Sequence, residues 1–345
     1  MEIKFDFDDI LIKPAVVTSI KSRKEVYPYI DGHLPIITAP MDTVINDASN
    51  EQLYPFLDNK INICLARGIN GFYKRDKHSN CLIFSSFSLY DFVSSIDDIM
   101  KKNKKAFICI DMANGHMEEL YDVTKEYKEK YGKSLVLMIG NIANPETYKH
   151  LSKTNADFIR CSVGSGNACL TSQNVSIGYP MASLIKEIYE IKKDMGSETK
   201  IVADGGMKNY SDIIKALALG ADYVILGSTM NKALESCSVP YLFNKIPLKN
   251  KLLARKAFNL GFPLYKKFRG MSTKEVQKDW GRDRLTTAEG VVKYNRVEYT
   301  MGGWKDNFVD YLRSAMSYTN SKNLSEFKES EFVLITEKSY KRFNK

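Results

Sequence analysis

Eight short apolar runs between residues 34 and 226 constrain the fold more than any other feature of this sequence. Each run is apolar almost throughout, as expected of a parallel strand buried on both faces. The clearest helical patterns follow the fourth to seventh runs, as in residues 180–196, which open on proline and close on glycine. This alternation favours an α/β fold, a (β/α)8 TIM barrel. The runs cover residues 34–38, 61–65, 81–85, 106–110, 135–139, 157–161, 200–203 and 223–226.

The main alternative is a doubly wound sheet, which would place a GxGxxG turn after its first strand. No such turn follows residues 34–38. The length of 345 residues fits two average domains, but it also fits one barrel with extensions. We therefore expect a single barrel domain over 1–345. We expect an insertion or flap over the barrel mouth at 237–300, and a C-terminal helix and tail at 301–345.

Composition excludes several classes of protein. Hydrophobic residues make up 44% and charged residues 26%, which argues against a disordered chain, a collagen or a coiled coil. No apolar run is long enough to predict a transmembrane helix, and the first residues do not resemble a secretory signal. The net charge of +9 is spread along the chain without interleaved aromatic residues, so we expect neither a nucleic-acid nor a membrane partner. Six cysteines without a CxxC pair indicate a reduced, cytoplasmic protein, and zinc is not expected.

Polar residues and glycines follow the apolar runs directly, where a barrel carries its chemistry. Asp111 and Asn114 follow the fourth run, and Asp204 follows the seventh. The pairs Gly205-Gly206 and Gly227-Ser228 follow the last two runs, the position at which barrels commonly bind phosphate through backbone N–H groups. The alternative is that both pairs are ordinary turns between a strand and a helix.

Cys169 is the candidate nucleophile, because it lies in a glycine-rich loop rather than inside an apolar run. Thr171, two residues further on, could pass a proton. Glu289, within residues 270–300, which the sequence predicts to be a long loop, could donate or accept a proton at the mouth. The alternatives are a space-filling cysteine and a solvated surface glutamate.

The whole chain resembles the purine-nucleotide oxidoreductases that comprise IMP dehydrogenase and GMP reductase. The resemblance rests on motifs that occur in the family's order: FDFDDILIKP, SRKEV, MDTV, IDMANG, GSGNACLT, ADGG, LGS, RGMS, AEG and LRSAMSY. It implies a (β/α)8 barrel that assembles as a homotetramer.

The resemblance also implies roles for individual residues. Cys169 would attack purine C2 and form a thioimidate, while Thr171 and Glu289 would relay protons. Substrate would be bound by Asp204, Gly205, Gly206, Gly227, Ser228, Gly270, Met271, Ser272 and Gly290. The dinucleotide would be bound by Asp111, Met112, Ala113, Gly164, Ser22, Arg23 and, from a neighbouring subunit, the segment from Ser314 to Ser317. Carbonyl groups of Gly164 and Gly166 would bind a monovalent cation such as K⁺.

Three features resemble the reductase branch more than the dehydrogenase. No regulatory domain interrupts the barrel, Asn114 is reductase-like, and Arg284 is followed by Leu285 where the dehydrogenase has its water-activating Arg-Tyr pair. In the other direction, APMDTV, KALALGAD and FRGM resemble the dehydrogenase. We expect NADPH-dependent conversion of GMP, or a related guanine nucleotide, to IMP and ammonia. The alternatives are an NAD-dependent IMP dehydrogenase that forms XMP, and a non-catalytic barrel that binds purine nucleotides.

Three positions depart from the family pattern. Asn167 replaces a serine that contacts phosphate, Ser172 replaces a basic residue, and Thr286 replaces an arginine. These differences leave a deoxy or modified purine nucleotide open as the substrate. The basic stretch 239–269 has no role that the sequence assigns.

Overall fold

The barrel is built from eight parallel strands, as the apolar runs predict. A computed structural model describes residues 2–69, 80–166, 170–279 and 290–343. A short strand, β1 (Ile10–Ile12), precedes the barrel. The barrel strands are β2 (Ile36–Thr38), β3 (Ile63–Leu65), β4 (Ile83–Phe87), β5 (Ala106–Asp111), β6 (Leu135–Ile142), β7 (Phe158–Cys161), β8 (Lys200–Asp204) and β9 (Tyr223–Leu226). The prediction of a (β/α)8 barrel is confirmed, and the doubly wound alternative is excluded.

The seam between the first and last barrel strands is closed by backbone pairing. β2 pairs with β9 in parallel, and the other strands pair with their neighbours in sequence. A parallel bridge between Ile37 and Asn62 joins β2 to the residue before β3. The buried Asn62 side chain donates to the carbonyls of Leu34 and Ile36 at 2.9 Å each and accepts from the amide of Leu82 at 2.8 Å. One amide side chain, that of Asn62, therefore joins β2 to the residues directly before β3 and β4.

Helices cover the outside of the barrel, and some of them begin at polar caps. The helices predicted after the fourth to seventh runs are all present. Asn144 and Asn209 cap two of them, each accepting from a backbone N–H in the first turn at 3.0 Å. The helices of the barrel are α1 (Asn50–Leu57), α2 (Leu89–Lys102), α3 (Glu118–Tyr131), α4 (Pro145–Leu151), α5 (Thr171–Val175), α6 (Met181–Met195), α7 (Tyr210–Ala218) and α8 (Ser228–Asn231). No helix in the described ranges is long and apolar enough to cross a membrane.

A small antiparallel sheet follows the barrel and borders its mouth. Its strands are β10 (Pro240–Leu242), β11 (Ile246–Pro247), β12 (Leu264–Arg269) and β13 (Val292–Arg296), in the order β11-β10-β12-β13. The helix α9 (Lys251–Asn259) connects β11 to β12, and α10 (Lys274–Asp279) follows β12. The basic stretch 239–269 therefore forms three strands and a helix. The prediction that residues 270–300 form a long loop is wrong in part, because α10 and β13 lie within them.

The C-terminal part of the chain packs back onto the barrel. It comprises α11 (Met301–Tyr318), α12 (Leu324–Phe327), β14 (Phe332–Leu334) and α13 (Glu337–Phe343). Trp304 of α11 is buried and stacks on Phe308, with ring centroids 5.3 Å apart. β14 pairs with β1 in antiparallel register, with Leu11 opposite Val333. The first and last strands thus form a two-stranded sheet outside the barrel.

Asp222, at the start of β9, is a buried anchor for the helical layer. Its carboxylate accepts from Lys192 of α6 at 2.7 Å, from Lys328 after α12 at 2.5 Å, and from the amide of Ile201 at 2.8 Å. Burial alone would raise the pKa of this carboxyl, but the two ammonium groups together hold it below its ordinary value.

We expect Asp222→Asn to lower the free energy of unfolding at pH 7 by roughly 3 kcal/mol, because two lysines lose their anion. A carboxyl with a depressed pKa stabilises the fold above its unfolded pKa of about 3.9, and this stabilisation is lost as the pH falls through the lower folded value. Urea unfolding of both proteins should therefore give curves that converge below pH 4. An equal difference at pH 7 and pH 3 would contradict this account, and Asp98→Asn, at an exposed ion pair, should change nothing.

Candidate active site

A cavity of about 780 Å³ opens at the carboxyl ends of the barrel strands. This size suits a drug-sized or nucleotide-sized ligand. Most of the described residues that the sequence analysis assigned to proton relay, substrate, dinucleotide and monovalent cation line it: Asp111, Met112, Ala113, Gly164, Gly166, Thr171, Asp204, Gly205, Gly206, Gly227, Ser228, Gly270, Met271 and Ser272.

The turn after β8 requires glycine. Gly205 and Gly206 have φ values of +81° and +83°, in the left-handed region that L side chains rarely adopt. A Cβ atom on Gly206 would lie 3.1 Å from both Cβ and Oγ of Ser165. The turn therefore packs closely against the loop that leads to Cys169, and both backbones face the cavity.

The backbone at the end of β9 is approached equally closely. A Cβ atom on Gly227 would lie 2.9 Å from the sulfur of Met41 and 3.6 Å from the ring of Phe268. Ser228 begins α8 directly after this glycine. Gly205-Gly206 and Gly227-Ser228, together called the two glycine pairs, thus follow neighbouring strands at one side of the cavity. Their amide groups can face an anion there.

An arginine that sequence reasoning missed organises the floor of the cavity. Arg160 lies inside the apolar run of β7, and its side chain is only 5% exposed. It donates to Asp111 Oδ1 from Nη1 at 2.7 Å, and to Asp204 Oδ2 from Nη2 at 2.7 Å and from Nε at 3.1 Å. Arg67 Nε donates to the other oxygen of Asp111 at 3.0 Å, and Asn141 Nδ2 donates to Asp204 at 2.6 Å.

This network orients both carboxylates. Burial opposes the charge of Arg160, but Asp204 and Asp111 outweigh it and hold the pKa of the guanidinium above its usual range. Burial would likewise raise the pKa of Asp111, but Arg160 and Arg67 hold it below its usual value. The three hydrogen bonds to the Asp204 side chain all end on Oδ2, and no described residue donates to Oδ1. Oδ1 of Asp204 can therefore accept a hydroxyl from a ligand without any reorientation of the carboxylate.

A second arginine, Arg269, holds the cavity wall that is formed by the end of β12 and residues 270–272. Arg269, the last residue of β12, binds Asp42 in the loop after β2 through two nitrogens, and binds Asp279 of α10 at 2.7 Å. Glu275 of α10 accepts from Arg269 at 3.3 Å. The end of β12, directly before Gly270, is thereby held against the barrel.

Ser172, one of the departures from the family pattern, closes the loop around Gly164. Its hydroxyl donates to the carbonyl of Ile177 at 2.9 Å. A Cβ atom on Gly164, whose φ is +80°, would overlap this hydroxyl. A serine at this position therefore packs where a long basic side chain would have to turn away.

The remaining sequence-derived residues lie elsewhere. Cys169 and Glu289, like Asn167 and Thr286, lie outside the described residues. Gly290 borders the cavity wall, since its Cβ would lie 3.1 Å from Ser272 Oγ. Ser22 caps a short turn at Arg23–Glu25 that packs on α11, the helix that carries Ser314 and Ser317. These four residues are not part of the cavity lining.

The described residues outside the cavity lining include free cysteines and a histidine, but no cluster of metal ligands. Cys64, Cys81, Cys109, Cys161 and Cys237, the cysteines that the structure describes, are free thiols. Among the described side chains, no three of the types His, Cys, Asp and Glu cluster as metal ligands. His116 is exposed and accepts from the amide of Ala143 at 3.0 Å, which places it beside the cavity rather than in its lining.

Comparison with known proteins agrees with this geometry. GMP reductase of Caenorhabditis elegans is 26% identical over 354 aligned positions, covering 98% of this chain and 94% of the relative. GMP reductase of Buchnera aphidicola is 27% identical over 369 positions, covering 99% and 97%. GMP reductase 2 of Mus musculus is 26% identical over 364 positions, covering 97% and 95%. The IMP dehydrogenase / GMP reductase domain model matches residues 74–343. The barrel, the cavity at its mouth and this match together show that the chain belongs to the IMP dehydrogenase / GMP reductase family.

Proposed function

We propose that this chain catalyses the NADPH-dependent reductive deamination of GMP, or of a closely related guanine nucleotide, to IMP and ammonia. The observation that carries the proposal is the convergence of Thr171, Asp204 and two glycine pairs on one cavity at the barrel mouth. Relatives named GMP reductase that match nearly the whole chain support the reductase reaction over other chemistry on this fold.

The nucleotide would lie with its phosphate on the side of the two glycine pairs. The amides of Gly205, Gly206, Gly227 and Ser228 would bind the phosphate, and Asp204 would accept the ribose hydroxyls. The base would contact Gly270, Met271, Ser272 and Gly290. The Arg160 network supports this orientation because it holds Oδ2 of Asp204 and leaves Oδ1 for the ribose hydroxyls.

The reaction would proceed through Cys169. Its thiolate adds to the electron-poor C2 of the purine, the C2–N bond breaks, and ammonia leaves with a proton relayed by Thr171 and Glu289. Reduction of the resulting thioimidate at C2, with departure of the thiolate, gives IMP. Fixed donors around the ring would stabilise the charge that develops during addition.

The nicotinamide dinucleotide would lie in the same cavity. Asp111, Met112 and Ala113 line it, and the Asp111 carboxylate is already oriented by two arginines. When bound, NADPH supplies the hydride. Ser22 and Arg23, together with Ser314 and Ser317 of a neighbouring subunit, would complete the site, so we propose a homotetramer. The free thiols of the described cysteines support a cytoplasmic location. A K⁺ ion on carbonyls of Gly164 and Gly166 would order the loop before Cys169.

Absorbance at the reduced-nicotinamide band tests the proposal. In potassium buffer, GMP with NADPH should lose absorbance while ammonia is released, and exchange of K⁺ for Li⁺ should slow the reaction. A rise with IMP and NAD instead would identify a dehydrogenase. If absorbance stays constant with both pairs, and also with deoxy and modified purine nucleotides, the chain would be a barrel that binds nucleotides without turnover.

A further inference from the structure

A fully buried lysine lies behind the cavity wall, outside the residues assigned above. Lys266 is in the middle of β12 and has no exposed surface. Its ammonium group donates to the carbonyls of Ala233 at 3.1 Å, Leu234 at 2.9 Å and Ser236 at 2.7 Å, and contacts Ser236 Oγ at 2.9 Å. Four oxygens from one turn therefore surround three N–H donors.

No carboxylate neutralises this charge within the described residues. Glu235 lies in the same turn, but its oxygens accept from Arg255 of α9 at 3.2 Å and from the amide of Met301 at 2.8 Å. Cys237 donates its own proton to the carbonyl of Asp42, and Lys251 is a repulsive cation on α9. Burial lowers the pKa of Lys266 to about 7, and Cys237 and Glu235 only partly oppose this.

The contacts of Lys266 join the two walls of the cavity. The turn at 233–236 follows α8, which begins at the Gly227-Ser228 pair, whereas β12 runs directly into Gly270. Asn231 of α8 reinforces the same junction, because its amide donates to the carbonyls of Thr43 at 2.8 Å and Lys267 at 3.0 Å. A change in the Lys266 contacts would therefore alter the separation between these walls.

We propose that Lys266 is a positioning residue for the nucleotide: its amino group ties β12 to the turn after α8 and so sets the distance between the wall at Gly227-Ser228 and the wall at Gly270–Ser272. The inference rests on the proposed function, because it takes a guanine nucleotide as the ligand that spans both walls. Lys266 itself does not line the cavity.

The protonation state of Lys266 gives this role a measurable signature. The ammonium form has three donors for the surrounding carbonyls, whereas the neutral amine has two, so one carbonyl is released. Nucleotide affinity should therefore weaken as the pH rises through about 7. The second ionisation of a nucleotide phosphate, with a pKa near 6, acts in the opposite direction and cannot mimic this trend.

Calorimetric titration of the full-length protein with GMP, at pH 6.5 and pH 8.5, tests the inference. Wild type should bind several-fold more weakly at the higher pH. Lys266→Met should bind roughly tenfold more weakly than wild type at pH 6.5, the scale of one lost charge-assisted hydrogen bond, and should lose the pH dependence. Ser236→Ala, which keeps the lysine and removes one contact, covers the case in which Lys266→Met does not fold, and should weaken binding in the same direction. Lys256→Met, at an exposed lysine of α9, is the matched control and should match wild type.

The outcomes separate this inference from the proposed function. If wild type binds GMP and Lys266→Met and Ser236→Ala keep its affinity and pH dependence, Lys266 is not a positioning residue. If both variants shift only the unfolding midpoint, the role is structural and the inference is overturned. If wild type binds neither GMP nor IMP at either pH, the proposed function fails, and the inference fails with it.

Discussion

Replacement of Arg160 by methionine is expected to lower the free energy of unfolding by about 3–5 kcal/mol and to abolish measurable GMP binding. The guanidinium lies between two carboxylates, and its loss leaves these largely buried groups beside one another without the cation that joins them. Asp204 also loses two of the three donors that orient it. Urea unfolding and calorimetry with GMP measure the two effects.

Two further variants sharpen this test. Arg160→Lys keeps the charge, but a single ammonium cannot reproduce the forked contacts, so we expect only partial recovery of stability. Arg67→Met removes the partly exposed arginine that contacts Asp111 alone and should cost less than Arg160→Met. Wild-type stability in Arg160→Met would show that the network does not hold the cavity floor.

The second large effect is expected at Cys169. Cys169→Ala should reduce kcat with GMP and NADPH by roughly 10⁴-fold, the scale typical of removing a covalent nucleophile, and should leave GMP affinity nearly unchanged. Steady-state loss of nicotinamide absorbance measures the rate, and mass spectrometry of acid-quenched wild type should detect a purine adduct on the peptide that contains Cys169.

Cys237→Ala provides the matched control for this variant. Burial raises the pKa of the Cys237 thiol to about 12, so it is protonated at neutral pH and is a poor nucleophile. Its replacement should leave turnover in place. Substantial turnover in Cys169→Ala would contradict the covalent route, and loss of turnover in Cys237→Ala would show that the effect is not specific to the nucleophile.

The barrel was predictable because its strands are buried on both faces and therefore appear as continuous apolar runs. The small antiparallel sheet of β10 to β13 was not predictable from the sequence. Its strand β12 alternates buried and half-buried positions, but it places Lys266 on the buried side, where such a strand usually carries apolar residues. The short helix α10 likewise lies in a segment rich in charge, and it is held by Arg269 together with the single buried apolar side chain of Val276.

The candidate site likewise contains residues that could be predicted from the sequence and one that could not. Residues at strand ends, such as Asp111 and Asp204, could be found because the barrel geometry gathers strand ends at one mouth. Arg160 could not, because it sits within an apolar run and its partners lie 44 and 49 positions away in sequence. An arginine inside an otherwise buried strand was the available signal, since such a charge needs anionic partners.

The pairing of β1 with β14 has a consequence for how the chain folds. Barrel strands β3 to β9 pair with sequence neighbours, but Lys13 and Glu331, 318 positions apart, meet at 2.6 Å, and the amide of Ile335 donates to the carbonyl of Asp9 at 2.8 Å. Closing so long a loop is entropically expensive and follows naturally after the barrel has formed. This two-stranded sheet should therefore be a separate cooperative unit, the last to form and the first to open, and its amide hydrogens should exchange with solvent well before those of β5 and β6.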